Sequence, residues 1–328
     1  MAPYRLPDIP HLRLRATLVS GSSGQLPGYL GSTLRGAFGH ALRRLVCAMG
    51  PEQPCATCPL RGPCVHTRLF ETFLEGDPPP FLRGLPTAPR PYVFEPRTPL
   101  RNEPQVISAG DCLELDLLLF GQAVALQGYA VLALERMAER GLGQRHRPFV
   151  LQEVRHQGAG GAWQTGYRRG ERPWSDQVAA APLPAPLTSD GTPAAPERLT
   201  LRFTTPTRIQ KQGELQDRPA FRPLAFAMLR RALELAHCHV PGAEVSWDFN
   251  GYLRQADAVR VTRTTLHWHD WTRYSNRQKA QHSMGGFVGE IDLEGDLAPF
   301  LPLLHAAETL HVGKGATFGL GKVEVVGT

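Results

Sequence analysis

The feature that most constrains this chain is that it runs twice through the same order of hydrophobic periodicities. In the first half, HLRLRATLVS (11–20) alternates apolar and polar residues like a half-buried strand. GYLGSTLRGAFGHALRRLVCAM (28–49) takes up a helical period after its first residues. Strands are predicted at PYVFE (91–95) and DCLELDLLLF (111–120). LQGYAVLALERMAERG (126–141) predicts a helix that stops at Gly, and FVLQEV (149–154) a closing strand. The second half repeats the plan with RLTLRFTT (198–205) as strand, AFRPLAFAMLRRALELAHC (220–238) as helix, and AVRVTRTTLHWHDW (258–271) and GGFVGEIDLEG (285–295) as paired strands. LAPFLPLLHAAETL (297–310) then forms a helix and KVEVV (322–326) a strand. Strand, helix, strand, strand, helix, strand is the ferredoxin-like plan, an antiparallel sheet with both helices on one face. The sequence therefore predicts an α+β protein of two tandem ferredoxin-like domains, 1–155 and 198–328. Between them lies a Gly/Pro/Ala-rich linker, 156–197, with a short hairpin near its start.

At 328 residues the chain is long enough for two domains of ordinary size. No apolar run approaches the ~20 residues of a membrane span, and MAPYRLPDIP has no signal-peptide core, so a cytoplasmic protein with no membrane partner is expected. The net charge of +6 favours a polyanionic partner. Only four of the 36 basic residues are lysines, and all four, Lys211, Lys279, Lys314 and Lys322, lie in the second half.

Two of them flank the Gly-rich stretch HVGKGATFGLGKVEVV (311–326). It is not a Walker loop, because Ala316 stands where the first Gly is required and Val323 where Ser or Thr is required. It is not a dinucleotide fingerprint either, because position 318 is Phe and a strand-like segment follows instead of a helix.

LHVGKGATFGLGKVEV (310–325) resembles the CRISPR-associated endoribonucleases of the RAMP superfamily that cut precursor CRISPR RNA within each repeat, the Cas-six family. The likeness extends to GGFVGEI (285–291), WTRYSNRQ (271–278), FTTPTRIQKQG (203–213) and LGSTLRGAFGHALRRLVC (30–47). It implies two tandem RRM-like RAMP domains, repeat RNA (pre-crRNA and crRNA) as ligand, and other CRISPR effector subunits as further partners. It also assigns a use to the loop of residues 313–321. Successive glycines let backbone N–H groups approach an anion, and lysines add charge toward phosphates. Gly313, Lys314, Gly315, Phe318, Gly319, Gly321 and Lys322 are the expected RNA-binding residues there.

RNA cleavage without metal needs a base for the 2′-OH proton, a donor for the 5′-oxygen and cations for the developing phosphorane charge. An imidazole titrating near 6.5 suits either proton task, whereas Arg stays charged and serves only the last. Helical projection of residues 30–49 puts Leu30, Leu34, Ala37, Phe38, Ala41, Leu42, Leu45 and Met49 on one broad face. His40 falls on the other side, near Arg43, Arg44 and Cys47. Family members carry a His on this first helix as general base or acid, and His40 matches it. Tyr29 matches a Tyr that some members add; those members also add a Lys, and here the chain departs from them, the region having Arg43 and Arg44 and no Lys. The catalytic candidates are thus His40, Tyr29, Arg43 and Arg44. His311, just before the Gly-rich loop, is expected as a satisfied strand-end histidine.

CAMGPEQPCATCPLRGPCVH places Cys47, Cys55, Cys58 and Cys64 at C-x7-C-x2-C-x5-C spacing, followed by His66. The Pro/Gly-rich turns predict a metal knuckle inserted at 47–66. Four thiolates favour a structural Zn²⁺ with no open position for catalysis, an iron–sulfur cluster being the lesser alternative; no catalytic metal is expected. Cys112 and Cys238 are expected in the core. WTRYSNRQKAQHSMGG (271–286), read as a loop between two strands, mixes Arg273, Tyr274, Arg277 and Lys279, a combination that stacks on unpaired bases and tracks phosphates. Arg208 and Lys211 extend this basic surface. The expected activity is metal-independent cleavage of repeat RNA by 2′-OH attack, leaving a 2′,3′-cyclic phosphate (or 3′-phosphate) and a 5′-OH. The alternative is a non-catalytic RAMP subunit that holds guide RNA in an effector complex.

Overall fold

The structure is a computed structural model that describes residues 5–50, 52–74, 87–143, 145–157, 161–174, 178–183, 196–211, 213–244, 248–275 and 280–326; of residues 272–282 it describes backbone only. The chain divides into two compact units. The first comprises Ile9–Pro182 and Cys238–Pro241, the second Met1–Asp8, Leu183–His237 and Gly242–Thr328.

The first unit contains β1 (His11–Ser20), β2 (Gly24–Leu26), α1 (Gly31–Val46), α2 (Val65–Leu69), β3 (Tyr92–Pro96), β4 (Gln105–Ile107), β5 (Cys112–Phe120), α3 (Gln127–Arg140), β6 (Phe149–Gln157) and β7 (Trp163–Arg168). Its main sheet has the order β3-β5-β1-β6-β7, with every neighbouring pair antiparallel. The first four strands thus follow the ferredoxin-like order. The fifth, β7, lies inside the stretch expected as linker and pairs with β6 as a hairpin.

Alternation along β1 explains how the sheet faces its core. Leu12, Leu14, Ala16 and Leu18 point inward and meet Leu113, Leu115, Leu117 and Leu119 of β5, under Leu34, Phe38 and Leu42 of α1 and Leu134 and Met137 of α3. On the other face Arg13 and Arg15 converge on Asp116, which is fully buried, with hydrogen bonds of 2.7–3.0 Å. A buried carboxylate is tolerated only when its acceptor sites are filled in this way.

The second unit contains β8 (Arg198–Thr207), β9 (Ile209–Lys211), β10 (Glu214–Gln216), α4 (Phe221–His239), α5 (Phe249–Asp257), β11 (Arg260–Thr264), β12 (His267–His269), β13 (Thr272–Ser275), β14 (Ala280–Ser283), β15 (Gly286–Glu294), α6 (Leu301–Leu310) and β16 (Val323–Val326). The sheet order β11-β15-β8-β16 repeats the plan of the first unit, and β12 also pairs with β15. Phe203 and Phe287 pack edge to face across β8 and β15, with ring centroids 5.0 Å apart, and Phe221 of α4 meets Phe300 at the same distance.

Two expectations are corrected here. The apolar face of α1 does not run to residue 49: the helix stops at Val46, and Leu45 and Met49 are exposed. Cys112 is exposed at the start of β5, where the alternation turns it outward, while Cys238 is half-buried at the end of α4.

Candidate active site and RNA interface

His40 lies in the last turns of α1 and is exposed. The residue before it explains how the helix is seated. Gly39 is buried, and a Cβ there would overlap the ring of Phe70, which follows α2. That ring stacks on Tyr92 of β3 at 6.0 Å and on His66 of α2 at 5.4 Å, and the Arg35 guanidinium sits 4.6 Å above it. One face of α1 is therefore pinned by Phe70 while His40 points to solvent.

The expected neighbours of His40 differ in availability. Arg44 is exposed. Arg43 is half-buried, and its Nη2 donates to the Gln53 carbonyl at 2.7 Å, so it ties the end of α1 to the Cys-rich segment. Tyr29, expected beside the histidine as a catalytic group, is a correction: it is buried, and burial first and the nearby Glu95 second push its hydroxyl far above its ordinary value. A phenol enclosed in this way resists ionisation and is shielded from a phosphate.

Cys47 ends α1 and its thiol donates to Gly50 O at 3.4 Å. Cys55 opens a single helical turn that Cys58 closes, and Cys64 precedes α2. All four thiols are half-buried, and among the described residues no three His, Cys, Asp or Glu side chains already converge as a metal site. The Cys55 Sγ does lie 3.7 Å from Nδ1 of His66, a residue that the sequence reading left outside the ligand set.

In the second unit the Gly-rich loop leaves α6 at His311, which is fully buried with φ 62°; its Nδ1–H donates to Leu320 O at 2.9 Å. This bears out the satisfied histidine. Gly313, Gly315, Gly319 and Gly321 all have positive φ, and at Gly321 a Cβ would overlap the Val312 carbonyl. The loop is laced to the end of β8. Lys314 N–H donates to Arg208 O at 3.0 Å, Gly321 N–H to Pro206 O at 3.1 Å, and Lys322 N–H to the Thr205 hydroxyl at 2.9 Å, while that hydroxyl donates to Gly319 O at 2.8 Å. The amides of Val312, Phe318 and Gly319 also donate within the loop. These N–H groups hold the loop's shape and are not offered to an anion.

The two loop lysines part company. Lys314 is exposed, whereas Lys322 is half-buried with its Nζ donating to Glu308 O at 3.2 Å, where it neutralises the negative end of α6. Phe318 is half-buried. Arg208 reaches from β8 to the root of the neighbouring hairpin, its Nη1 donating to Ser283 O at 3.3 Å and Gly285 O at 2.7 Å. Lys211 is exposed at the end of β9, opposite Glu214. The segment read as a loop at 271–286 contains the β13–β14 hairpin, with Arg273 opposite His282 and Tyr274 opposite Gln281. Arg277 and Lys279 lie outside the described residues.

Known families match both halves of the chain. The AF_1859_N model, described as an N-terminal domain, matches residues 9–181, and the model of the CRISPR-associated endoribonuclease Cas6 matches residues 201–323. Residues 201–323 thus form a domain of the Cas6 family. This domain match supports the general class of an endoribonuclease that processes CRISPR repeat RNA. The fold agrees. A Cas6 product complex aligns with 98% of this chain and 100% of its own, at 18% identity and a TM-score of 0.56. Thermus thermophilus Cas6 aligns with 97% and 99%, at 16% identity and 0.52. A partial Cas6-RT-Cas1–Cas2 complex aligns with all of this chain and 47% of its own, at 12% identity and 0.56. No curated protein sequence matches the chain. Among the described residues no helix is long and apolar enough to cross a membrane.

Proposed function

We propose that this protein cleaves CRISPR repeat RNA by 2′-OH attack without a catalytic metal, leaving a 2′,3′-cyclic phosphate (or 3′-phosphate) and a 5′-OH. The observation that carries the reading is the seating of His40. It is the exposed imidazole on a helix that is seated on the core by Leu34, Phe38 and Leu42 and locked at the adjoining Gly39 by Phe70, so its backbone is held where the side chain can take or give a proton. Arg44, exposed one turn further along α1, supplies charge for the phosphorane.

The RNA-binding surface belongs to the second unit. Lys314, Lys211 and the Arg273/Tyr274 strand of the β13–β14 hairpin meet the nucleic acid, together with Arg277 and Lys279. The Gly-rich loop and Arg208 hold that surface in shape. A neighbouring structure described as a product complex supports repeat RNA and its product as ligands, and one described with reverse transcriptase, Cas1 and Cas2 supports other CRISPR subunits as partners. The Cys-rich segment holds a structural metal, Zn²⁺, that fixes the end of α1.

His40→Ala tests the assignment. The variant is expected to bind repeat RNA with unchanged affinity and to cut it at least about 100-fold more slowly, the usual worth of a general acid or base. A wild-type cleavage rate would remove His40 from the mechanism. Tight binding without cleavage in the wild type itself would make the protein a guide-holding subunit.

A further inference from the structure

We propose that Trp268 is a stacking platform for one unpaired base of the repeat RNA. The inference rests on the RNA reading above and adds to it a contact at the foot of the β13–β14 hairpin. Trp268 is the middle residue of β12, and 37% of it is exposed. What separates it from an incidental surface residue is that its ring is held still. The Nε1–H donates to Asp270 Oδ1 at 2.8 Å. An indole N–H lies in the plane of the ring, so the carboxylate sits at the ring's edge and leaves the faces clear.

Two further features build the seat. In the β12–β15 pairing Trp268 lies directly opposite Phe287, and directly opposed side chains stand on one face of a sheet. Phe287 is fully buried and packs edge to face on Phe203, so the indole stands on a strand beside the core instead of hanging from a loop. Gly285 supplies the room. It is buried, and a Cβ there would come within 2.5 Å of Asp270 Oδ1 and 2.7 Å of Trp268 Nε1, so any other residue would force the bonded pair apart.

Charge identifies nucleic acid as the occupant. The carbonyl of the same Gly285 accepts from Arg208 Nη1 at 2.7 Å, which places a guanidinium beside the residue that seats the indole. Arg208 O in turn accepts from the Lys314 N–H at 3.0 Å and so ties this foot to the Gly-rich loop with its exposed lysine. The Asp270 carboxylate is committed to the indole N–H. A fixed aromatic ring next to cations is the combination that holds single-stranded RNA, base on ring and phosphate on cation. A base inside a duplex has both faces covered by its neighbours, so the base that lies on Trp268 is an unpaired one.

The test is a binding cycle on the full-length protein, using repeat RNA with hydrogen in place of the 2′-OH upstream of the cut so that binding is read without turnover. Wild type is compared with Trp268→Leu, which keeps apolar bulk without a π-face, and with Trp268→Phe, which keeps one. Each is titrated with the intact RNA and with RNAs made abasic at each unpaired position in turn. Trp268→Leu is expected to bind the intact RNA about 5- to 150-fold more weakly, the worth of one stacked base. Its salt slope should stay that of the wild type, because no phosphate contact is lost. Trp268→Phe should recover most of the affinity. At one abasic position the wild type should lose that same factor and Trp268→Leu nothing further, which identifies the stacked base. Equal affinity in wild type and Trp268→Leu, or abasic costs that match in the two proteins at every position, would overturn the stacking site and leave the RNA reading standing. Failure of the wild type to bind the RNA would overturn both. Ultraviolet crosslinking of the wild type to the RNA, mapped by mass spectrometry, decides the matter even if Trp268→Leu fails to fold: a crosslink at Trp268 is expected, and crosslinks only elsewhere would overturn the site.

Discussion

The two arginines that follow His40 show how one helical turn divides its labour. Arg44 is exposed and free to follow a phosphate, whereas Arg43 is spent on the Gln53 carbonyl. Arg44→Ala is expected to weaken repeat-RNA binding and to lower the salt slope of the binding constant by about 0.7, one phosphate contact on single-stranded RNA, with thermal stability unchanged. Arg43→Ala should instead lower the melting temperature by a few degrees and leave the salt slope as it was. Titrating RNA at several salt concentrations, beside thermal melts of both variants, checks this. The position of His40 was legible because apolar residues at helical spacing fix which face is buried. The enclosure of Tyr29 and the inward turn of Lys322 were not, because each depends on tertiary packing: Tyr29 is buried in the core, and Lys322 turns to the Glu308 carbonyl at the end of α6.

At the scale of the element, α1 is a helix whose glycines do opposite things. Gly36 lies one turn before His40, and a Cβ there would meet no atom within 4 Å, whereas at Gly39 it would overlap the Phe70 ring. Gly36→Ala is expected to stabilise the protein by up to about 1 kcal/mol through helix propensity. Gly39→Ala should destabilise it by roughly 1–3 kcal/mol through overpacking. Denaturant unfolding gives both values. If RNA lies along the open face of α1, Gly36→Ala will also slow cleavage while raising stability, a split that a purely structural glycine would not give. Short elements escaped the sequence reading for physical reasons. Five residues of α2 complete too little of a helical period, and β13 and β14 are too polar to alternate. The start of α5 did carry a signal, since the side chain of Asp248 caps it by accepting from Gly251 N–H at 2.8 Å.

For the whole molecule, the repeated order of periodicities was enough to predict both sheets. Both units adopt the strand order of the ferredoxin-like plan. What did not follow from periodicity was how each sheet satisfies its outer face. In the second unit Asp292 of β15 accepts from Arg263 at 2.6 and 3.2 Å and from the Thr200 hydroxyl at 2.7 Å, bonds that hold its carboxyl below the usual carboxylate value. A carboxyl lowered in the folded state contributes stability that is fully present above its unfolded pKa of about 3.9 and disappears as pH falls below it. Asp292→Asn is therefore expected to shallow the acid limb of the stability curve below about pH 4, as measured by unfolding across pH, and to leave its shape near neutrality unchanged. The central claim concerns the chemistry itself. It is tested most directly by incubating the purified protein in EDTA with repeat RNA, beside the same RNA carrying hydrogen in place of the 2′-OH upstream of the cut. Cleavage of the first and not the second is the predicted result; cleavage of both, or activity only after metal is restored, would contradict it.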